Sequence, residues 1–192
     1  SATPAVNISS AEVEIRVSDL GLENEKKGYT RDGLPKILSR EMDDFKNYLM
    51  ADGIHVSEVS GAKANSLSAL LGKGQFNYGS ISRRLREDDL NRIKSEKLLV
   101  SNQREIVDGN HGWAVVYIAS VILDDFEAEL DAYIVDLSTE DLVTIANDWS
   151  SRSDVKRSRR LHYLKEQIDV SPVPSDKYDR FKFLPKEVRA GR

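Results

Sequence analysis

Three segments of the chain are predicted to be strands, and the first two of them alternate apolar and polar residues with the period of two that is typical of half-buried strands. They are residues 11–20 (AEVEIRVSDL), residues 54–59 (IHVSEV) and residues 96–107 (EKLLVSNQREIV). In the first of them, three β-branched residues share one face and charged residues occupy the other. The pattern therefore predicts a strand early in the chain and two more before residue 108.

The stretch from Trp113 to Trp149 is predicted to be an antiparallel meander. Its first segment (GWAVVYIASVIL) is apolar on both faces, as expected for a central strand that is covered on both sides. The second segment (FEAELDAYIVDL) alternates apolar residues with acidic ones. A polar turn at residues 138–141 then leads into a last apolar segment (LVTIANDW), which we interpret as the return strand.

Apolar residues at steps of three and four predict helices at residues 32–52, 82–95 and 151–167. Residues 60–80 contain four glycines and give no clear pattern beyond a short helix near Leu67. Helices interspersed with strands favour an α/β (α+β) sandwich. We expect a mixed, mainly antiparallel sheet of about five strands with helices packed on it.

The length of 192 residues and a hydrophobic content of 40% suit one domain with tails. We predict a flexible lead-in at residues 1–10, a single α/β domain at residues 11–170 and an extended C-terminal tail at residues 171–192. The tail contains three prolines, which disfavour regular structure. No run of about 18 apolar residues occurs, so no membrane-spanning helix is predicted.

Known catalytic and metal-binding patterns are missing from the sequence. There is no cysteine, which excludes disulfides, cysteine-ligated zinc and thiol catalysis. His55, His111 and His162 lie far apart, so no zinc site is predicted, and we interpret each as a surface or capping residue. Gly72-Lys73-Gly74 lacks the spacing of a phosphate-binding loop. We therefore expect no cofactor and, with no residue set that must be catalytic, a protein that is not an enzyme.

Acidic residues concentrate just before and within the second segment of the meander. Alternate spacing would place Glu127, Glu129 and Asp131 on one strand face, with Asp124 and Asp125 just before them. Oxygen ligands of this kind could hold a divalent cation, and a metal-dependent hydrolase using Asp125, Glu127 and Glu129 is one alternative. The simpler interpretation is a solvated face that discourages unwanted strand pairing.

Basic residues concentrate in the predicted helix at residues 152–165, although the whole chain has a net charge of −4. This helix could bind nucleic acid, an anionic lipid or an acidic protein surface, and a nucleic-acid-binding module is the second alternative. The tail that follows is rich in aromatic residues. Arginine and aromatic residues often dominate protein interfaces, so we predict a partner-binding set in these two segments. Its members are Arg157, Arg159, Arg160, Tyr178, Phe181 and Phe183.

The order of elements resembles the small α/β domain of bacterial envelope lipoproteins of the CsgG, LpoB and TolB N-terminal type. The likeness rests on EVEIRVSDL, GLPKILSREMDDFKNYLMADG, IHVSEVS, KLLVSNQREI and AYIVDLSTEDLVTIANDW. It covers residues 11–150, but the glycines expected near residues 98–102 and between Thr139 and Glu140 are absent. The resemblance implies a non-enzymatic role in envelope assembly or secretion and supplies no catalytic residue.

The favoured function is therefore a periplasmic, lipoprotein-like binding or assembly protein that acts through contacts with another protein or with a second copy of itself. The opening Ser1-Ala2 suits a lipoprotein cut after its lipid-bearing cysteine, and it suits a cloning remnant equally well. We expect a periplasmic or outer-membrane-associated location, with a cytoplasmic one as the alternative. Membrane contact would come only through a lipid anchor outside this chain.

Overall fold

The computed structural model describes residues 6–151. Within this range the helices are α1 Ser10–Ser18, α2 Met42–Ala51, α3 Tyr78–Glu87, α4 Leu90–Ser95, α5 Asn110–Ile122 and α6 Thr139–Ser151. The strands are β1 Val56–Lys63, β2 Ser68–Ala69, β3 Leu98–Val100, β4 Glu105–Asp108 and β5 Glu129–Val135. Short 3-10 helices span Glu23–Lys27, Ser39–Glu41, Ala64–Ser66 and Lys73–Gln75.

The five strands form one mixed sheet in the order β1-β5-β3-β4-β2. β1 pairs with β5 and β3 with β4 in the antiparallel sense, while β3–β5 and β2–β4 are parallel. The longest pairing is that of β1 with β5, and Gly61, at a φ of +70°, lies where its register shifts. The predicted fold class, a mixed five-stranded sheet with packed helices, is confirmed.

The segment GWAVVYIASVIL is helix α5 and not a central strand. Seven of its thirteen residues are buried, and the indole of Trp113 donates a hydrogen bond to the carbonyl oxygen of Ala64 at 2.9 Å. A helix that is apolar on all sides is typical of a protein core. If the same residues are placed on a strand, both faces of that strand are apolar as well, so the pattern does not distinguish a buried helix from a central strand. The predicted meander from Trp113 to Trp149 is therefore wrong: the order is helix, strand, helix.

The first predicted strand, residues 11–20, is helix α1. Ser9 Oγ accepts a hydrogen bond from the N–H of Glu12 at 3.1 Å, which satisfies one of the free donors at the helix start. Val13 and Val17, four residues apart, are buried, while Ile15 is 63% exposed. Burial therefore follows a helical period, and the alternation that suggested a strand does not describe the core face.

Two further predictions about regular structure need correction. Of the helix predicted at residues 32–52, only α2 is α-helical; residues 31–38 form a connection in which Leu34 and Ile37 are buried. The predicted return strand LVTIANDW lies in α6, which buries Leu142, Val143, Ile145 and Ala146. Such spacing is helical, and its β-branched members misled the prediction.

Some predictions fall at the edges of the described range or beyond it. The lead-in predicted for residues 1–10 is described only from Val6 onward, and there Val6 and Ile8 are buried. Val6 also donates its N–H to the carbonyl of Leu85 at 2.9 Å. The basic helix at residues 152–165, the tail and the six predicted partner-binding residues lie outside the described residues. None of the helices described is long and apolar enough to cross a membrane.

Candidate functional site

A cleft of about 800 Å³ opens at the end of the sheet where β4 stops and α5 begins. Its walls are the connection of residues 31–39, the helices α3 and α4 and the first turn of α5. Five lining side chains are cationic and three are acidic, although the chain as a whole carries a net charge of −4. The cations are Arg31, Lys36, Arg83, Arg84 and Lys97, and the acids are Asp32, Glu96 and Asp108.

The first turn of α5 presents free backbone donors to the cleft. Gly109, at a φ of +108°, precedes the helix and offers no side chain to cap it. The side chain of Asn110 is engaged elsewhere, because Oδ1 accepts from the N–H of Leu70 at 2.8 Å and Nδ2 donates to the carbonyl of Ile106 at 3.0 Å. The N–H groups at the start of a helix have no acceptor within it and carry a partial positive charge, which favours anions.

His111 joins the starts of α3 and α5. Its Nε2 accepts the backbone N–H of Asn77 at 2.9 Å, and its ring packs against Phe76 with the centroids 5.3 Å apart. Burial, together with the positive charges of Arg31, Arg84 and Lys36, lowers the pKa of His111 to about 4. The imidazole is therefore neutral near pH 7, and it senses three cations that converge on the cleft.

Arg84 projects from α3 over the first turn of α5. Its side chain is 18% exposed and lies between two carboxylates, with Nε 3.5 Å from Asp88 and an Nη 3.4 Å from Glu96. These contacts hold the guanidinium in one place. The position that a Cβ would take at Gly112 is 3.9 Å from Arg84 Nη1, so the guanidinium faces the open side of Gly112 in the first turn of α5.

Arg31 and Lys36 belong to the connection between α1 and α2, which several hydrogen bonds fasten to the body. The Ile37 N–H donates to an oxygen of Asp108 at 3.1 Å, and Asn147 Nδ2 donates to the carbonyl of Gly33 at 2.8 Å. Arg31 and Lys36 are exposed and form no ion pair within residues 6–151. The cleft wall therefore carries two cations that form no ion pair with a described carboxylate, although the charge of Lys36 acts on nearby Asp108.

Asp108 ends β4 at the base of the cleft and fastens the wall in place. Burial raises its pKa to about 6, against the opposing effects of the N–H of Ile37, the charge of Lys36 and the N–H of Gly109. The carboxylate is occupied by backbone donors, so its role here is to hold residue 37 against the sheet. Its charge is costly at neutral pH because it is largely removed from water.

At another part of the cleft wall, Lys97 is engaged by other polar side chains. Its Nζ lies 2.7 Å from Glu58 and donates to the Tyr133 hydroxyl at 3.0 Å, and that hydroxyl donates to Asp43. Hydrogen bonds to Glu58 and Tyr133 raise the pKa of Lys97. Because Lys97 is already paired, the excess positive charge of the cleft is concentrated near α5 and the 31–38 connection.

A separate buried network holds the earlier part of the connection between α1 and α2 in place. Glu105, whose side chain is 7% exposed, pairs with Lys27 Nζ at 2.5 Å and accepts a hydrogen bond from Thr139 Oγ1. Thr139 also shares a 2.7 Å hydrogen bond with Ser101. The network joins the start of α6, β4 and the 3-10 helix Glu23–Lys27, and it lies apart from the residues that line the cleft.

Replacing Lys27 by methionine is expected to lower the free energy of unfolding by about 1–3 kcal/mol, because it leaves the buried Glu105 carboxylate without its cation. Lys27 itself is 43% exposed, and water weakens the pair accordingly, which places the effect below that of a fully buried one. Urea denaturation measures the change, and Lys26→Met, at the exposed neighbouring residue, is the control. Equal losses in the two variants would contradict a specific Lys27–Glu105 contribution.

The predicted acidic site does not form a cluster. Asp124, Asp125 and Glu127 are exposed in the connection between α5 and β5. Glu129 lies 3.7 Å from Lys63, and Asp131 accepts the N–H of Gly61 at 3.1 Å. Across residues 6–151, no three side chains of the His, Asp and Glu types converge closely enough to hold a metal ion.

Sequence reasoning missed the cleft. It predicted a central strand where α5 lies and assigned no role to Arg84. The available signal was a strand, then Asp-Gly-Asn-His-Gly, then thirteen mostly apolar residues, which favours a strand–turn–helix unit once the length is considered. His111, predicted to be a surface or capping residue, lines the cleft and accepts a backbone hydrogen bond there.

Comparison of this chain with protein-family models, curated proteins and solved structures finds no match. The resemblance to CsgG, LpoB and TolB N-terminal domains accordingly stays a prediction, and function has to be inferred from the geometry of the cleft.

Proposed function

We propose that this protein binds a small phosphate-bearing ligand in the cleft at the start of α5. The observation that carries the proposal is that Arg31, Lys36, Arg84 and His111 line one cleft, beside a helix start that no side chain caps. Helix N-termini and arginine forks together are a common way to bind phosphate. The cleft volume of about 800 Å³ suits a small molecule.

Phosphate fits this site better than a metal or a hydrophobic molecule does. The excess charge of the lining is positive, which repels cations. Much of the wall that contains Arg31 and Lys36 is polar, and neutral His111 offers a ring N–H, because its Nε2 already accepts from Asn77. A phosphate group carries enough charge and enough acceptor oxygens to satisfy several of these donors at once.

Titration calorimetry with pyrophosphate tests the proposal. We expect binding that weakens as salt is added, because exposed cations contribute through screened interactions. The double variant Arg31→Gln/Lys36→Gln should bind at least about tenfold more weakly, since two charge-assisted contacts are lost. Its matched control is Arg92→Gln/Lys73→Gln, in which an exposed arginine and lysine outside the cleft are removed.

Two results would contradict the proposal. One is the absence of any heat or thermal shift when pyrophosphate is added to the wild-type chain at low salt. The other is an equal loss of affinity in the cleft double variant and its control, because that would indicate general charge attraction and not a site.

An assembly role in the bacterial envelope is a separate proposal. It would use the basic helix at residues 152–165 and the tail, with Arg157, Arg159, Arg160, Tyr178, Phe181 and Phe183 as contacts. These residues lie outside the described range, so neither this role nor a nucleic-acid-binding role for the same helix draws support from the cleft. Ligand binding in the cleft and partner binding elsewhere are compatible with each other.

A further inference from the structure

We infer that Arg84 is the side chain that grips the phosphate at the start of α5, and that Gly112 leaves the space this requires. This inference rests on the proposed function. A Cβ added at Gly112 would lie 3.9 Å from Arg84 Nη1 and 4.0 Å from Nη2, so the guanidinium faces the side of the first helical turn at which Gly112 has no side chain. An anion held by the N–H groups of that turn would be next to the guanidinium.

Arg84 keeps donors available for a ligand. Its Nη2 donates to Glu96 at 3.4 Å and its Nε lies 3.5 Å from Asp88, whereas Nη1 has no hydrogen-bond partner among residues 6–151. Of the Arg84 atoms, Nη1 is also the nearest to the position that a Cβ would take at Gly112, at 3.9 Å, and only Cγ2 of Ile93 is closer, at 3.7 Å. The planar guanidinium has five N–H donors in a fixed arrangement. When carboxylates hold the donors on one edge, the directions of the remaining donors are fixed as well. Asp88 and Glu96 are therefore positioning residues.

The neighbouring arginines of α3 do not share this placement. The Arg83 side chain is 52% exposed and lies 3.9 Å from Glu87, and the Arg86 side chain is 46% exposed, 3.7 Å from Glu87 and outside the cleft. Only Arg84 of the three is largely buried, at 18% exposure. Helical spacing turns one arginine of this run inward, between the buried Ile81 and Leu85, and leaves the others toward solvent.

Gly112 matters because of the space it leaves open. An alanine there would meet its neighbours, Ile93 and Arg84, only at ordinary van der Waals distances of 3.7–4.0 Å. A leucine would extend into the volume that the guanidinium occupies and displace it. Both substitutions retain the helical backbone, and only the leucine changes the position of Arg84. Comparing the two therefore distinguishes an effect of the backbone from an effect of the Arg84 position.

The experiment measures pyrophosphate and inorganic phosphate binding by calorimetry for the wild type, Arg84→Gln, Arg84→Lys, Gly112→Ala and Gly112→Leu, with Arg86→Gln as the control. Arg84→Gln should weaken binding by about 10- to 100-fold, because a charged, forked contact is lost. Arg84→Lys should recover only part of this, since an ammonium cannot reproduce the fork. Gly112→Leu should resemble Arg84→Gln, while Gly112→Ala and Arg86→Gln should stay within about twofold of the wild type.

The outcomes separate this inference from the proposed function. Absence of phosphate binding by the wild type overturns both. Wild-type binding with undiminished affinity in Arg84→Gln, or in folded Gly112→Leu, overturns the role of Arg84 and leaves the phosphate site standing. Thermal melting confirms that each variant is folded. Should Arg84→Gln fail to fold, Arg84→Lys and Gly112→Leu still decide the matter, because both keep a cation at position 84.

Discussion

Gly109→Ala is expected to lower the free energy of unfolding by about 2–5 kcal/mol. Gly109 has a φ of +108°, a conformation that side chains rarely adopt. An added Cβ would also lie 2.4 Å from Cδ2 of Leu98, which is 3% exposed and has little room to move. Backbone strain and overpacking therefore act together at the point where β4 turns into α5.

Urea denaturation, followed by circular dichroism, measures this loss. Gly74→Ala is the matched control, because nothing lies within 4 Å of the position its Cβ would take and its φ is not positive. The control should change stability by less than about 1 kcal/mol. A Gly109→Ala chain as stable as the control would show that the turn before α5 is not built as described.

Asp108→Asn is expected to stabilise the protein by up to about 1–2 kcal/mol at pH values above 7, less than the full rise in pKa would give, because Asp108 is still partly exposed and its carboxylate also accepts the N–H of Gly109. Burial raises the pKa of Asp108 to about 6 from an ordinary value of 3.8, so the folded chain bears a cost for keeping this carboxylate charged. Asparagine retains an oxygen that can accept the N–H of Ile37, and it removes the charge. The variant should therefore keep the Ile37 contact and lose the cost of the charge, while it weakens the contact with the N–H of Gly109.

The raised pKa of Asp108 also determines how the stability difference between Asp108→Asn and the wild type varies with pH. Between about pH 4 and pH 6 the folded chain holds the Asp108 proton more tightly than the unfolded chain, so this group makes stability fall as the pH rises through that window. The advantage of Asp108→Asn should consequently be small near pH 4, grow up to about pH 6 and then stay constant. Denaturation curves of both proteins at several pH values give the difference between their free energies of unfolding. The contributions of other carboxylates are common to both proteins and cancel in this difference.

A loss of stability in Asp108→Asn at neutral pH would contradict a costly buried charge. A difference that does not vary with pH would contradict the raised pKa as its source. Either result would mean that the carboxylate is better solvated, or better paired, than its position under the 31–38 connection indicates.

The strands that pair most extensively were predictable from sequence. β5 lies within a segment that was predicted as a strand, and β1 begins within another, at residues 54–59, but continues to Lys63, beyond the predicted end. In both segments apolar and polar residues alternate, as expected for a strand that is buried on one face. The predictions failed for helices α1 and α5, in which the order of apolar and polar residues does not show a clear helical period. α5 is buried on almost every side, and Ile15 of α1 is an exposed β-branched residue that completed a false alternation. The hydrophobic period does not identify a helix when every face of the helix is apolar, or when an exposed apolar residue occupies a position that a strand would bury.

The cleft was less accessible to prediction, because its residues are distant in sequence. Arg31, Arg84 and His111 meet only after α3, α5 and the 31–38 connection have packed together. Along the chain, Arg84 is followed closely by Glu87, Asp88 and Asp89, so its positive charge does not stand out in the sequence. In the folded chain Asp88 positions Arg84 without removing it from the cleft.

Nuclear magnetic resonance of the chain labelled with ¹⁵N-glycine tests the central claim most directly, since the chain has eleven glycines and Gly112 reports on the start of α5. On addition of pyrophosphate, the amide signals of Gly109 and Gly112 should shift in a saturable way. Those of Gly21 and Gly61, which do not line the cleft, should stay in place. Unchanged Gly109 and Gly112 signals at saturating pyrophosphate, or equal shifts at all glycines, would contradict a phosphate site at the start of α5.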